Sequence, residues 1–467
     1  MRPTVGLKNL LLFCRACSAS SIYGKKNFVR FSDYHKFQVF SSLASVCKYI
    51  GFIIMNIIEI NKNEVGRFLY NLAKIGQVGQ SGVTRLAYTP EWVEALDYCR
   101  AYAVKSGLDV YQDAVGNVWA RLKGKSDTAP LVTGSHIDTQ INGGRYDGSL
   151  GVIAGLISLK ALKEQFGQPE NSLEAVIFCE EEGSRFPKSG FWGSRAVVGK
   201  ITNKDLMSTI SFEGEPIQDC MTGVGLKPDQ INSAERHALN AFIELHIEQG
   251  PVLETNRFSV GLVTSITGMA QFEVTLEGID NHAGTCPMDL RVDPMAGFAE
   301  ITTSLINQTL SLGRPYVTTI GQISAEPGGV AVIPSSVRFS IDARHPDPKL
   351  RTELYSMQDK LMREICDRRG LGYCRDCLMD IEPCESDQKL IKAIGAAADD
   401  LGIPLKSLVS GAGHDAQQIS KISPVAMIFV RSVGGISHSP DEFSTLDDCT
   451  DGIRMLAQTL YRLAYTS

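Results

Sequence analysis

The sequence predicts an α/β fold with a smaller α+β domain inserted into it. Four short apolar runs have the length of buried strands, at 130–133, 173–179, 241–245 and 425–430. Between about 263 and 374 the order becomes strand, helix, strand, strand, helix, strand, which is typical of a separate α+β unit. The expected segments are a basic extension (1–54), a catalytic domain in two parts (55–262 and 375–467) and an inserted lid (263–374).

Two helices are predicted before the second apolar run. Thr89 can cap the first helix and Pro90 suits its first turn, and the helix ends at Gly107. Its apolar residues recur at helical spacing, at Trp92, Leu96, Cys99 and Ala103. The second helix runs over about 150–166 and is stopped by Gly167.

Residues 108–113 and 118–122 alternate like two strands joined by a Gly116-Asn117 turn. The four apolar runs add four more strands. In open α/β sheets, ligands gather at the carboxyl ends of strands. We therefore expect the polar residues that follow these strands to meet at one edge, namely His136, Asp147, Glu182, His246 and His438.

The inserted segment has its own pattern. Its predicted strands are 270–276, 316–323 and 336–343, with a last strand before 374, and its first helix spans about 294–307. The second helix carries one apolar stripe, formed by Leu350, Leu354, Met357, Leu361 and Ile365.

Charge is distributed unevenly along the chain. Residues 1–54 carry eight Lys or Arg and one acid, Asp33, which leaves 38 basic and 51 acidic residues in the remainder. That remainder lacks the basic face that nucleic acid binding needs. The composition therefore excludes nucleic acid as a partner and suits divalent cations and small solutes.

The first 54 residues resemble a mitochondrial transit segment, because basic residues alternate with small ones. An upstream extension of the reading frame explains the pattern equally well, because Met55 opens an ordinary enzyme-like sequence. The first interpretation predicts a mitochondrial protein and the second a cytoplasmic one. The apolar stretch 49–58 is too short to span a bilayer, and no membrane association is expected. The 12 scattered cysteines indicate reduced thiols.

Histidine and carboxylate ligands together favour a pair of zinc or manganese ions. Two adjacent ions can ionise a shared water and polarise a carbonyl, which is the logic of metal-assisted amide hydrolysis. Gly143 and Gly144 let the backbone bend so that Asp147 can bridge both ions, although Asp147 alone reads as a solvated turn. His136 is the ligand of its segment, and Asp138 is expected to accept its other ring N–H.

Three acids follow the strand at 173–179. Adjacent residues that leave a strand point in different directions. Glu182 can therefore bind metal while Glu181 acts as general base and later as acid. Glu180 is predicted to face outward. The alternative is a hydrated acidic face, against which the preceding apolar residues argue.

A zinc deaminase is a rival interpretation, because His246-Ile247-Glu248 is followed by Cys374 and Cys377. Tyr373 stands where that signature needs proline, and a single Cys-x-x-Cys is a weak indication of metal. We interpret these thiols as structural. The sequence contains no His-Glu-x-x-His, Gly-x-Ser-x-Gly or phosphate-loop spacing.

From about residue 60 to the C-terminus, the chain resembles the hydantoinase/carbamoylase branch of the dinuclear metallopeptidase-like amidohydrolases. This branch includes N-carbamoyl-L-amino-acid hydrolases, allantoate and ureidoglycolate amidohydrolases and β-ureidopropionases. The motifs that carry the resemblance are His136 to Thr139, Gly144 to Gly148, Glu181 to Phe186, His246 to Gly250, Asn281 to Gly284, Gly411 to Ala416 and Ser437 to Pro440. His246, where related peptidases carry an acid, together with Gln249 points to the ureido-hydrolysing members.

The resemblance implies a zinc-peptidase-like mixed sheet flanked by helices, and a lid that also forms a homodimer. It implies two divalent ions, zinc or manganese, that share Asp147. The other ligands are His136 and His246 for one ion, and Glu182 and His438 for the second.

Further roles follow from the same resemblance. His282 of the lid, within the chain or across the dimer, would stabilise the oxyanion. Arg344 would bind the substrate carboxylate as a fork, helped by Gln249, Gly413 and His414. For Arg344 a plain surface arginine at a strand end is the alternative.

One position departs from the family pattern, because Ala331 stands where an asparagine commonly contacts the polar end of the substrate. The predicted activity is cleavage of the C–N bond of a small N-carbamoyl or ureido carboxylate. An aminoacylase or dipeptidase with the same ions is the alternative. A catalytically dead binding protein is a third hypothesis, but such a protein usually lacks a ligand or the base.

Overall fold

The computed structural model describes residues 57–187 and 189–466. From Ile58 onward these residues form one compact unit. The predictions for residues 1–54 lie outside the described residues.

The larger sheet has nine strands and is mixed. Its strands are, in spatial order, β16 (Cys384–Glu385), β8 (Val260–Ile266), β18 (Val425–Val430), β7 (Ala241–Ile247), β5 (Leu131–His136), β6 (Leu173–Phe178), β4 (Val118–Leu122) and β3 (Asp109–Gln112), and β17 (Leu405–Ser410) pairs with β8. The neighbours β18, β7, β5 and β6 run parallel and are buried along their whole length. A continuous apolar run is typical of strands covered on both faces, which is why the sequence predicts these strands well.

Helices cover both faces of this sheet. The helices outside the inserted segment are α1 (Lys62–Ala73), α2 (Pro90–Lys105), α3 (Ser149–Phe166), α4 (Trp192–Val197), α5 (Asn203–Ser208), α6 (Ile217–Gly223), α7 (Val252–Asn256), α10 (Gln388–Leu401), α11 (Asp415–Ile419) and α12 (Leu446–Ala464). Alternate strand residues point to opposite cores, so Ile243 packs in the larger cluster with α3 and α12, while Phe242 packs with α11. The predicted mixed sheet flanked by helices is confirmed.

A second, five-stranded sheet is built from the inserted segment. Its strands are β9 (Gly268–Glu277), β11 (Val317–Thr319), β12 (Ile323–Glu326), β14 (Ser336–His345) and β15 (Gly372–Ile381). Two helices, α8 (Pro294–Leu312) and α9 (Pro348–Arg369), share a core with this sheet. Two small ladders stand apart from both sheets, one of β1 (Gln77–Val78) with β2 (Gly82–Val83) and one of β10 (Asn281–His282) with β13 (Val332–Ile333).

The chain leaves the nine-stranded sheet at Thr267 and returns to it between Ile381 and Cys384. These crossings lie slightly beyond the expected limits of 263 and 374, and the division into domains stays a prediction. The lid consists of the five-stranded sheet with α8, α9, β10 and β13.

Two expected elements of the lid differ in their limits. The strand expected at 316–323 is divided into β11 and β12, because Ser340 Oγ accepts the backbone N–H of Gln322 at 3.0 Å between the two pairings with β14. The helix expected to end near 307 continues to Leu312, and Gly313 ends it with a φ of 74°.

Candidate metal centre

Two parallel strands bring the first pair of histidines together. His136 is the last residue of β5 and His246 lies near the end of β7, so both rings stand at the carboxyl edge of the sheet, with ring centroids 5.8 Å apart. Asp147, in the loop before α3, places Oδ1 3.4 Å from His136 Nε2 and 3.1 Å from His246 Nε2. The three buried side chains form one compact group of candidate ligands.

The other oxygen of Asp147 faces a second group. Its Oδ2 lies 3.3 Å from Nε2 of His438, which sits in the loop after β18. Glu182 Oε2 is 3.5 Å from the same nitrogen. In each group the ligand atoms lie within 4.8 Å of one another. The five predicted ligands therefore meet, and Asp147 is common to both groups.

Backbone carbonyls set the orientation of both buried imidazoles. Nδ1 of His136 lies 3.0 Å from the carbonyl oxygen of Asp138, and Nδ1 of His246 lies 2.9 Å from that of Ile247. With Nδ1–H donated to a carbonyl, each ring keeps its Nε2 lone pair for a cation on the side that faces Asp147.

The expected role of Asp138 is wrong in one detail. Its carboxylate lies 3.8 Å from His136 Nδ1, and the group in hydrogen-bond contact is the backbone carbonyl. The carboxylate instead accepts the backbone N–H of Glu182 at 3.1 Å. Asp138 thus connects the ligand loop after β5 to the ligand loop after β6.

Glu181 and Glu182 face the same centre. Glu181 is nearly buried, with Oε2 3.7 Å from His136 Nε2, and burial raises the pKa of its carboxyl well above the ordinary value. Burial and the nearby Asp147 carboxylate raise the pKa of Glu182 to about 7. Both raised pKa values indicate that these clustered acids are buried with too little positive charge beside them.

Glu180 does not face outward as expected. It is fully buried and accepts hydrogen bonds from the backbone N–H of Phe186 at 3.0 Å and from Ser189 Oγ at 3.2 Å. Its φ of 50° turns the chain sharply after β6. Glu180 therefore shapes the loop that carries Glu181 and Glu182.

The donor set fits divalent cations. Three imidazoles and the carboxylates of Asp147 and Glu182 are the nitrogen and oxygen ligands that zinc and manganese accept. Glu182 Oε1 is buried without a hydrogen-bond partner, although buried carboxylate oxygens are normally paired. A cation held by the second group would satisfy this oxygen, and a cation in each group would balance the clustered acids.

Several supporting side chains were missed by the sequence reasoning. Glu442 is buried and accepts the backbone N–H groups of Tyr146 at 2.9 Å and Asp147 at 3.1 Å. Its other oxygen accepts Ser437 Oγ at 2.8 Å, beside His438. Glu442 therefore ties the loop of the shared ligand to the loop of the last ligand. The only signal in the sequence is its position four residues after His438.

Two amides also contact the ligands. Gln249 Nε2 donates to Asp147 Oδ2 at 2.8 Å, and Gln140 Nε2 donates to Glu182 Oε2 at 2.8 Å. Gln249 was predicted as a substrate contact, and it lines the cavity while holding the shared carboxylate. Gln140 follows the His136-to-Thr139 motif directly, which is the only sequence signal for it.

The glycines near Asp147 allow close packing. At Gly148, whose φ is 57°, an added Cβ would lie 2.4 Å from the His136 ring. At Gly144, an added Cβ would lie 2.0 Å from the Glu442 carboxyl group. The loop can therefore approach its neighbours only with glycine at these positions.

A cavity of about 340 Å³ opens onto the ligand groups. Both sheets contribute to its wall, the lid through Met269, Gln271, Arg344 and Met379. Gly413 and His414, which are predicted to contact the substrate, also line it. This size suits a small molecule.

Arg344 is already engaged by the protein on one edge. Its Nε and Nη2 donate to the two carboxylate oxygens of Asp342 at 2.6 and 3.0 Å, and Nη1 donates to the carbonyl of Gly411 at 2.8 Å. Each Nη group keeps one further N–H for a ligand. The predicted two-pronged contact with a substrate carboxylate can therefore use only these two remaining N–H groups, on the outer edge of the guanidinium. Asp342 holds the guanidinium in place.

His414 is buried beside the metal-facing histidine. Its ring centroid lies 4.5 Å from that of His246, and its Nε2 is 2.9 Å from Ser410 Oγ. Burial and the neighbouring imidazoles keep its pKa well below the ordinary value, so the ring is neutral.

His282 is not brought to this centre within one chain. It is exposed in β10, it does not line the cavity, and its Nδ1 accepts the backbone N–H groups of Gly284 and Thr285 at 3.0 and 3.2 Å. Ala331 lies beside it, because its carbonyl accepts the N–H of Ala283 at 3.0 Å. Ala331, the position that departs from the family pattern, and His282, the predicted oxyanion donor, therefore lie together at one exposed corner of the lid.

The cysteine pair that suggested a deaminase lies on the exposed strand β15 of the lid. Within 57–187 and 189–466, the candidate metal groups contain neither Cys374 nor Cys377. Their assignment as structural thiols stays a prediction. No helix of the described residues is both long and apolar enough to cross a membrane.

Comparisons with known proteins agree with this geometry. Residues 132–462 match the model of peptidase family M20/M25/M40. The chain is 42% identical to the allantoate amidohydrolase of Bacillus subtilis, over 86% of this chain and 98% of that protein. It is 37% identical to the N-carbamoyl-L-amino-acid amidohydrolase of Pseudomonas sp., over 87% of this chain and 100% of that protein.

A solved structure is similar over the same span. The hydantoinase/carbamoylase family amidase of Burkholderia multivorans superimposes with a TM-score of 0.79 at 32% identity, covering 86% of this chain and 98% of that one. With its ligand groups, fold and relatives in agreement, the chain belongs to the metal-dependent M20/M25/M40 peptidase family, in the hydantoinase/carbamoylase branch.

Proposed function

We propose that this protein is a hydrolase that cleaves the C–N bond of a small N-carbamoyl or ureido carboxylate with two divalent ions. The observation that carries the proposal is the pair of ligand groups that share Asp147, with the Glu181 carboxylate beside them. Relatives named for allantoate and for N-carbamoyl-L-amino acids support the substrate class.

The five candidate ligands divide between two ions. His136, Asp147 and His246 would hold one ion, and Asp147, Glu182 and His438 the other. When bound, the ions lower the pKa of an attacking water and polarise the ureido carbonyl, and zinc or manganese would serve.

Glu181 moves the proton. Its carboxylate lies outside both ligand groups and 3.7 Å from His136. Burial raises its pKa, and the positive charge of the bound ions would favour the ionised form that accepts a proton. It can take the proton of the attacking water and later return it to the departing nitrogen, which then leaves as ammonia or an amine.

The substrate is held mainly from the lid. The outer edge of Arg344 offers two N–H groups in the cavity for a carboxylate. Because Arg344 also donates to the carbonyl of Gly411, directly after β17 of the nine-stranded sheet, a substrate bound here would contact both parts of the chain.

We also propose that a homodimer completes the site. The lid exposes large apolar side chains around β10 and β13, namely Ile279, Met288, Leu290, Val330 and Val332. Exposed apolar residues in one region are typical of a protein interface. A second copy on this corner would place His282 of one chain toward the cavity of the other, where it could stabilise the oxyanion.

A substrate panel tests the proposed activity. We expect the protein, loaded with zinc or with manganese, to release ammonia from an N-carbamoyl-L-amino acid or from allantoate. N-acetyl-L-amino acids and dipeptides should be cleaved far more slowly, as measured by amino acid release. Faster cleavage of the acyl substrates would favour an aminoacylase, and no cleavage with two bound ions would favour a binding protein.

Mixing two inactive variants tests the shared site. In a dimer of His282→Ala with Glu181→Gln, one of the two sites combines an intact Glu181 with an intact His282 if they come from different chains. Random exchange should therefore restore about one quarter of the wild-type rate. If His282 acts within its own chain, or not at all, mixing would restore nothing beyond the sum of the variants.

A further inference from the structure

A second cavity adjoins the metal cavity. It measures about 330 Å³, and the two cavities share Gly190, Phe191 and Met379 in their walls. Phe191 has a φ of 62°, which is strained for a large side chain, and its N–H donates to the carbonyl of Glu181 at 2.8 Å. Such strain persists where the surrounding structure requires it. The wall between the cavities is therefore fixed to the backbone of the proposed base.

Three basic side chains line the second cavity, those of Arg195, Lys200 and Lys421. None of these three makes a side-chain hydrogen bond or ion pair within the described residues. The nearby Asp205 is engaged by Thr202, whose N–H and hydroxyl donate to it at 2.8 and 2.5 Å. Burial lowers the pKa of the half-buried Arg195, as expected for a cation without a direct counter-ion.

Two acids also line this cavity, Asp380 and Glu382, and both form ion pairs with Arg351. Arg351 balances one of these two negative charges, so the three basic groups of the cavity exceed the remaining acid charge by two. The basic groups therefore keep an uncompensated positive charge, although residues 55–467 hold 51 acidic and only 38 basic residues. A positive cavity in an acidic protein concentrates anions at that place.

We propose that this basic cavity is an anion subsite that receives the acidic side chain of a ureido dicarboxylate. The inference rests on the proposed function, because the ureido end of the same molecule would lie at the metal ligands. One carboxylate would meet Arg344 in the metal cavity, and the second would meet Arg195 and Lys421 beyond the shared wall. Phe191 and Met379 would contact the methylene groups that connect the two ends.

The residues of the shared wall support the placement of the two carboxylates in different cavities. Met379 follows an irregularity in the pairing of β15 with β9, after Cys377, and irregular pairing redirects side chains. Gly413 lies between Met269 and Phe191, where an added Cβ would approach each side chain to 2.9 Å. Apolar side chains thus line the boundary between a cationic pocket and the metal ligands, which matches a substrate with two charged ends and an apolar middle.

A matched substrate pair tests the subsite. N-carbamoyl-L-glutamate and N-carbamoyl-L-glutamine differ only in the charge of the side-chain end. We expect wild type to prefer the glutamate derivative, and Arg195→Gln to lower the ratio of the two kcat/KM values by about tenfold or more, because a charge-assisted hydrogen bond is lost. Lys421→Gln should lower the ratio as well, and Arg195→Lys should keep part of the preference.

Lys392→Gln, at an exposed position of α10, controls for the change in net charge and should leave the ratio unaltered. Calorimetric titration of the metal-loaded protein with glutarate gives a second measurement that needs no turnover, with weaker binding expected in Arg195→Gln. Equal ratios and equal glutarate affinities in wild type and Arg195→Gln would overturn the subsite. If glutarate binding depends on Arg195 while no ureido compound is cleaved, the subsite stands and the proposed function fails.

Discussion

Replacing Glu181 by glutamine should leave the bound ions in place and lower kcat by about 10²- to 10⁴-fold. Glutamine has the same size but cannot accept a proton from the attacking water. Glu181 is not part of either ligand group, so the ions should lose no ligand. The measurement is kcat on the best ureido substrate, together with the metal content of the purified variant.

Glu385→Gln is the matched control, because Glu385 is exposed and forms no ion pair within the described part of the chain. It should retain the wild-type rate. A Glu181→Gln variant that turns over at a rate close to wild type would remove Glu181 from the mechanism. Loss of both activity and metal would instead make Glu181 a ligand.

Asp147→Asn should have the larger effect on metal, since one residue serves both groups of ligands. Asparagine offers a single carbonyl oxygen without charge, so neither group keeps its full set. We expect kcat/KM to fall by at least about a thousandfold, because several kcal/mol of charge stabilisation depend on the ions. Metal content should fall below one ion per chain.

The variant His438→Ala is the comparison for Asp147→Asn, because His438 belongs to one ligand group whereas Asp147 belongs to both. It removes a ligand from the second group alone, so the variant should keep about one ion per chain under the dinuclear arrangement. Asp441→Asn, an exposed acid three residues further on, should keep both ions and full activity. If Asp147→Asn retained as many ions as His438→Ala, Asp147 would not bridge them.

The central strands and the meeting of the five candidate ligands could be predicted from local sequence. Strands β5, β6, β7 and β18 are apolar throughout, so a polar residue at their carboxyl ends stands out. Parallel pairing of β5 and β7 then brings His136 beside His246 without further information.

Contacts that depend on the path of the loops, or that join distant segments, could not be predicted in this way. Glu180 reads as a hydrated acid in sequence, and its burial depends on hydrogen bonds from Phe186 and Ser189 across a turn. Glu442 supports Asp147 across almost 300 residues, and no local pattern indicates such a contact. For His136, the choice between the carboxylate and the carbonyl of Asp138 depends on the backbone path after β5.

The lid shows the same limit. The resemblance predicted a fork at Arg344, but only the structure reveals that Asp342 occupies one edge of it. The basic cavity could not be predicted at all, because Arg195 and Lys421 are more than 200 residues apart in sequence. They line one cavity only because α4, which carries Arg195, packs against α11, which ends two residues before Lys421.

Diffraction from crystals of the metal-loaded protein, recorded on both sides of the zinc or manganese absorption edge, tests the dinuclear centre most directly. We expect two anomalous peaks about 3.5 to 4 Å apart. One should lie between His136 and His246, and the other between Glu182 and His438, with Asp147 touching both. A single peak, or peaks away from these side chains, would contradict the account.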